Sequence, residues 1–269
     1  MSDLMSLIKP TGSKMVKSDA LDKIRNTSKP TEVSLRNILS KGNEMSESCS
    51  VPVDVLFVHD ATSSIEVVIN DLVMGLEEVF KIVTQKASLA RFGLIAYRGS
   101  CGSYGGVVSV KFKSDGNRAF RQLLGRIEHR TSIGWEAPVC DGIFEASQFN
   151  WQSRHRVMIV LGDARAPSKC YHNLNLSADK LMRELRVNSH VIYWKTEEMK
   201  NDKKWFKELA HMLGGKFFSS SDISSTELAE FILAAILKET GQLADFMKQI
   251  SSSSQKPAIS SKIAGLLTG

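Results

Sequence analysis

Asp60, Thr62 and Ser64 set three oxygen-bearing side chains at alternate positions in the stretch VDVLFVHDATSSI, residues 53–65. Alternating carboxylate and hydroxyl oxygens suit a hard divalent cation, Mg2+ first, with Mn2+ and Ca2+ as alternatives, and do not suit zinc or copper. The same residue types at a helix start also act as caps for its orphan N–H groups, so this stretch alone leaves both readings open. Asp163 stands in the same relation to a later apolar run, His155 to Gly162 (HRVMIVLG), as Asp60 does to Val55–Val58. Between them the segment RTSIGWEAP, residues 130–138, brings Thr131, Gly134, Trp135 and Glu136 ahead of a proline suited to the first turn of a helix.

Other chemistry is weakly supported. The glycine-rich segment RGSCGSYGG (98–106) has neither G-x-x-x-x-G-K-[ST] nor G-x-G-x-x-G, and it leads into a strand where a phosphate loop should open a helix. Cys101 stands where G-x-S-x-G around Ser103 would need a glycine. The four cysteines, Cys49, Cys101, Cys140 and Cys170, form no C-x-x-C pair, so neither a disulfide scaffold nor a zinc knuckle is expected. Cys170 and His172 amount to two ligands without a second pair, too few for a zinc site.

The elements that must position these residues follow from periodicity. Val55–Val58 reads as a strand buried on both faces, and Glu66 to Ala87 carries Val68, Ile69, Leu72, Val73, Leu76, Val79, Phe80 and Val83 at helical spacing. Strands are expected at 91–97, 107–112, 155–162, 190–194 and 215–218, and helices at about 115–129, 139–149, 177–187, 202–213 and 225–250. Strands alternating with helices, with one hairpin, predict an α/β domain. Its sheet is doubly wound and mostly parallel, with one antiparallel edge strand and helices on both faces, and ligands sit beyond the carboxyl ends of such strands.

The chain has 269 residues and a formal charge of +6, mild for its length. One sizeable domain at 51–250 is expected, with an N-terminal extension at 1–50, partly disordered or docking, and a flexible Ser/Lys-rich tail at 251–269 whose alternative is a short docking peptide. Leu4–Ile8 is broken by Ser6 and ended by Lys9-Pro10, so no signal peptide and no membrane span is expected, and a reducing cytoplasm is the expected address.

On these residues the sequence resembles the von Willebrand factor A (vWA) family. Asp60-Ala61-Thr62-Ser63-Ser64 matches the family's D-x-[ST]-x-S motif, and Gly134-Trp135-Glu136-Ala137-Pro138 resembles its G-G-D-x-P-E loop. VMIVLGDARAP (157–167) resembles the strand-then-D-A-P-P segment, and FGLIAYRG (92–99) and WFKELAHMLGGKFF (205–218) sit where the family has similar strings. The resemblance covers about residues 52–250 and implies a Rossmann-like fold with a metal-ion-dependent adhesion site. In such a site Asp60, Thr62, Ser64, Glu136 and Asp163 would hold Mg2+, and an open position would take an acidic oxygen from a partner protein.

Glu136 departs from the family's usual Thr or Asp, and Val139 replaces the usual acid after the proline. Three ionised carboxylates around a divalent cation would leave the site near −1, weakening its pull on an acidic partner. With Thr131 as third ligand instead, the sum would be neutral. Glu136 is favoured because its distance from Pro138 fits the motif, although an acid there also suits the helix dipole.

The function expected is therefore a non-enzymatic interaction or adaptor domain, such as an assembly subunit beside an AAA+ ATPase, with Trp135, Arg98 and Arg165 as candidate contacts. The alternatives are a nucleic-acid-binding ribonucleoprotein adaptor, disfavoured because lysines and arginines are spread along the chain, and a metal-dependent hydrolase. The last lacks a convincing base: His59 should point away from the edge, and His129 suits the last turn of the preceding helix.

Overall fold

A computed structural model describes residues 51–86, 89–99, 106–124, 137–168, 170, 172–196, 202–251 and 261–268. The expectations for residues 1–50, the 100–105 part of the glycine-rich segment, and Thr131, Gly134, Trp135 and Glu136 lie outside these residues. Six strands form one sheet: β1 Val53–Asp60, β2 Ala90–Tyr97, β3 Val107–Lys113, β4 His155–Gly162, β5 Asn188–Tyr193 and β6 Lys216–Ser219. Their order is β3-β2-β1-β4-β5-β6, with β3 antiparallel to β2 and every other pair parallel. This is the α/β architecture expected, hairpin included.

Eight α-helices flank the sheet among the described residues: α1 Glu66–Lys86, α2 Gly116–Leu124, α3 Val139–Ser147, α4 Leu174–Asp179, α5 Lys203–Met212, α6 Ser225–Glu239, α7 Leu243–Ser251 and α8 Ser261–Thr268. Helix α4 starts earlier than periodicity implies, because the Asn173 side chain accepts from the Leu176 N–H and caps it, and it runs on into a π-helical turn at Lys180–Glu184. Period-two alternation in β1 divides the core. Val53, Val55 and Phe57 face a layer built by α1, α2, α6, α7 and α8, whereas Leu56 and Val58 face α3, α4 and α5.

The expected helix 225–250 is two helices. At the end of α6, Gly241 takes φ +73°, the Gln242 N–H donates to Leu237 O at 2.7 Å, and the Gly241 N–H donates to Lys238 O at 3.0 Å. These are the paired bonds of a Schellman stop, and only glycine takes this φ without strain.

Within the 251–269 segment expected as a flexible tail, residues 261–268 form helix α8. Residues 228–237 of α6 are buried except Glu230, so this helix is apolar all round and needs cover on its outer side. Helix α8 supplies part of it through Ile263 and Leu267, both fully buried, and Lys216 and Lys238 donate to the Leu267 carbonyl at its C-terminal end. No described helix is long and apolar enough to cross a membrane.

Asp54 locks the amino-terminal end of the sheet. Fully buried, it accepts five hydrogen bonds: from Arg91 Nε at 2.8 Å and Nη2 at 2.7 Å, from the Gln152 and Ser153 N–H groups, and from Ser153 Oγ at 2.7 Å. Burial alone would raise its pKa, but the bonds from Arg91, Ser153 and Gln152 together bring it below the ordinary value. We expect Asp54→Asn to cost about 3 kcal/mol, the low end for breaking a buried pair because Arg91 keeps 25% of its side chain exposed. Urea unfolding would show it as a lower midpoint at unchanged slope; a variant as stable as the parent would refute this role.

Candidate functional site

Strands β1 and β4 are central neighbours, and the chain leaves them in opposite directions, from β1 to β2 and from β4 to β5. That reversal opens a crevice at the carboxyl ends of the two strands. Their register runs from Val53↔His155 to His59↔Leu161, which carries Asp60 and Asp163 to one edge. Asp60, Thr62, Ser64 and Asp163 thus come together in the crevice.

Asp60 is fully buried, and its two oxygens have different surroundings. Oδ1 accepts from the Thr62 N–H at 2.9 Å, fixing the turn into the 3-10 segment Ser63–Ile65. Oδ2 is buried and makes no hydrogen bond. The local-cap reading of the sequence is met at Oδ1; Oδ2 is a buried polar oxygen without a hydrogen bond. Thr62 Oγ1 and Ser64 Oγ lie 2.9 Å apart in a hydrogen bond that either hydroxyl can donate. Across the crevice Asp163, 1% exposed, accepts from Thr196 Oγ1 at 3.3 Å through Oδ2.

Burial above all, and then the charge of Asp163, push the Asp60 carboxyl up to about 8, against the lowering effect of its bonds with Thr62 and Ala61. Tyr97 lies beneath the pair. Its hydroxyl donates to Leu161 O at 3.2 Å, and burial, with help from Asp60 and Asp163, drives the phenol well above its usual pKa. A Cβ at Gly162 would sit 2.4 Å from that hydroxyl, so glycine is what lets Tyr97 reach under Asp163.

The described donors are two carboxylates and two hydroxyls; among the described residues no group of three or more His, Cys, Asp or Glu is placed to hold a metal ion. Such oxygens fit Mg2+, which takes one or two carboxylates and completes an octahedron with other oxygen ligands. His59 lies on the α1 and α6 side of the sheet beside a small apolar cavity, its Nδ1 within 2.8 Å of Asp60 O, and burial lowers its pKa to about 4. It points away from the crevice, as expected, and His129 lies outside the described residues.

Arg165 is fastened to Asp202: its N–H donates to Asp202 Oδ2 at 2.9 Å and its Nε lies 3.8 Å from Oδ1. The Arg98 N–H donates to Gly106 O at 2.8 Å. Cys170 and His172 form no metal pair. Cys170 is in a disulfide with Cys140, and His172 stacks on Phe144 with ring centroids 3.7 Å apart. The sequence reading did not foresee this disulfide, because a spacing of 30 residues says nothing of which thiols meet.

Sequence reasoning also missed Thr196, Tyr97 and Asp202. For Tyr97 a signal existed, since it ends the strand beside β1 and pairs directly with Asp60. Thr196 and Asp202 lie on segments following β5, and only tertiary contact brings them to the crevice.

No family model matches the chain, and no curated protein matches it. Two solved structures of the pilus adhesin SpaC from Lactobacillus rhamnosus GG, one in an open conformation, are similar to it with TM-scores of 0.48. They are 16% and 17% identical, over 71% of this chain and 31% and 32% of the adhesin. The chain therefore spans about a third of the adhesin's length.

A carboxyl whose folded pKa is raised gives its stability in full below its unfolded value, near 3.8, and loses it as pH climbs toward 8. The loss is at most about 1.4 kcal/mol per pH unit. Metal-free Asp60→Asn is therefore expected to be more stable than the parent by about 2–4 kcal/mol at pH 7.5. The two should agree to within about 1 kcal/mol near pH 4. Equal urea midpoints at pH 7.5 would mean that Asp60 carries no such burden.

Proposed function

We propose that the carboxyl edge of β1 and β4 binds a divalent oxygen-seeking cation, Mg2+ above all, and that the chain works as a non-enzymatic interaction or adaptor domain. Through this edge it captures an acidic side chain of a partner protein. The observation that carries the reading is Asp60 Oδ2, a fully buried carboxylate oxygen without a hydrogen bond, at the point where strand order reverses. A buried polar atom left in this state calls for a proton, an ion or a ligand.

The chain's own groups divide the work. The Thr62 N–H holds Asp60 Oδ1 and leaves Oδ2 without a hydrogen bond, and the hydroxyls of Thr62 and Ser64 are paired with each other. Thr196 steadies Asp163 through one oxygen. Tyr97, fully buried, lies below and donates to Leu161 O. A bound divalent cation would supply the positive charge that lets both aspartates ionise together, and with it an exchangeable position for a partner's carboxylate. Glu136 and Thr131 remain the proposed sources of a third-loop oxygen. An assembly subunit working beside a separate AAA+ ATPase is the wider role in keeping with this reading.

The experiment is calorimetric titration of Mg2+ and Mn2+ into metal-stripped protein at pH 6.5 and 7.5. Because Asp60 holds a proton up to about pH 8, binding releases it, and affinity should be about tenfold higher at the upper pH. Asp60→Ala and Asp163→Ala should abolish binding, and Glu136→Ala and Thr62→Ala should weaken it. A hundredfold excess over Kd should also stabilise the fold by about 2.7 kcal/mol. No heat and no stabilisation at millimolar metal would refute the proposal.

A further inference from the structure

Three contacts in succession bind the start of α3 to the loop that follows Asp163. The Ala137 N–H donates to Arg165 O at 3.0 Å, Cys140 is joined to Cys170 by a disulfide with Cα atoms 6.4 Å apart, and the Phe144 ring lies on His172 with 3° between planes. Cys140 and Phe144, four apart in α3, fall on one side of the helix, and Ala137 lies just ahead of its N-cap Pro138. One contact is a backbone bond and one a ring stack; only the middle one can be made or broken by electron transfer.

Its place in the chain gives it reach. Cys140 lies four residues after Glu136, and Cys170 lies seven after Asp163. A single covalent bond therefore ties the segment that follows the third loop to the segment that follows the fourth. Cys140 is 1% exposed, whereas Cys170 is half-buried and is the more accessible residue of the pair. Arg165, between them, is held in turn by Asp202.

We propose that Cys140–Cys170 is a thiol–disulfide exchange site that sets the cation affinity of the Asp60, Thr62, Ser64 and Asp163 edge, high when oxidised and low when reduced. The proposal rests on the metal-binding reading given above. A low-molecular-weight thiolate of the glutathione class attacks Cys170 Sγ, the sulfur–sulfur bond breaks, and Cys140 leaves as a thiolate that takes up a proton. A second thiolate attacks the mixed disulfide, releasing Cys170 and forming the oxidised small disulfide. Two electrons pass to the protein and two small thiols are oxidised. Reduction removes the covalent link between α3 and the segment after Asp163 and leaves their noncovalent contacts. The oxygens on either side of the crevice are then less well fixed, and a cation that demands a near-ideal octahedron feels the loss first.

Cys49→Ser/Cys101→Ser protein retains only the paired cysteines and isolates the exchange. Mg2+ is titrated calorimetrically into its oxidised form, into the form reduced by a small dithiol, and into the Cys170→Ser variant. The oxidised form should bind at least about fivefold more tightly than the other two, within the usual range of coupling between sites. By linkage, saturating Mg2+ should shift the glutathione ratio at half-reduction by the same factor. This is read by alkylation and mass on protein that keeps both cysteines, so it does not depend on the variant folding. Equal affinities in the two redox states would overturn the coupling and leave the metal site standing. No Mg2+ binding in either state would overturn both. A disulfide that neither glutathione nor the dithiol opens in the native protein would overturn the exchange site.

Discussion

Burying a carboxylate costs several kcal/mol unless hydrogen bonds or an opposite charge offset it, and β1 buries two. Asp54, near its start, meets a bidentate guanidinium, two backbone N–H groups and a hydroxyl. Asp60, at its end, meets the Thr62 N–H through one oxygen and the charge of Asp163 across the crevice. One carboxyl is held below its usual pKa and the other is pushed up to about 8, on the same strand and with the same 0% exposure. Neither can move away, because β1 is hydrogen-bonded on both sides and covered on both faces. What surrounds Asp60 reflects this constraint: a glycine at 162 that admits Tyr97, a threonine on Asp163, and two loops clasped together beyond them.

Most of the framework was legible because it is local. The apolar runs of β1 and β4, each ending on an acid, and the helical spacing from Val68 to Val83 depend on neighbours in sequence, and they placed the sheet and the crevice. The third-loop residues fall outside the described structure, so the sequence remains their only source. What was not legible is non-local. Asp54 looks like an interruption in VDVLFV until Ser153, 99 residues away, closes over it. The Cys140–Cys170 pairing and the Thr196 contact likewise depend on where separate loops come to rest.

Helix α6 shows a subtler case. Its start carries a full capping box between Ser224 and Glu227, and its end carries Gly241, so both boundaries were written in the sequence. Reading through Gly241 gave one long helix, because the apolar residues beyond it, Leu243 and Phe246, resume a helical spacing. The more telling signal was LAEFILAAIL itself. A helix with so little polar surface cannot lie at the outside of a two-faced sheet, so some later segment must cover it. Helix α8 is such a segment, and the two lysines on its Leu267 carbonyl oppose the negative end of its dipole.

Charge links the proposed site to the proposed clasp. With Asp60 and Asp163 alone, a divalent cation would bring the edge to neutrality, and an incoming carboxylate would meet no net repulsion. A third carboxylate from the loop before α3 would carry the sum to −1, holding the cation more firmly and repelling an acidic partner. Whether that oxygen reaches the cation depends on where the loop ends, and α3 fixes that end through Ala137 and Cys140. On this reading cation affinity and partner affinity are opposed through one acid. A bond that sets the position of α3 then governs the balance between them, with no change in the strands that carry Asp60 and Asp163.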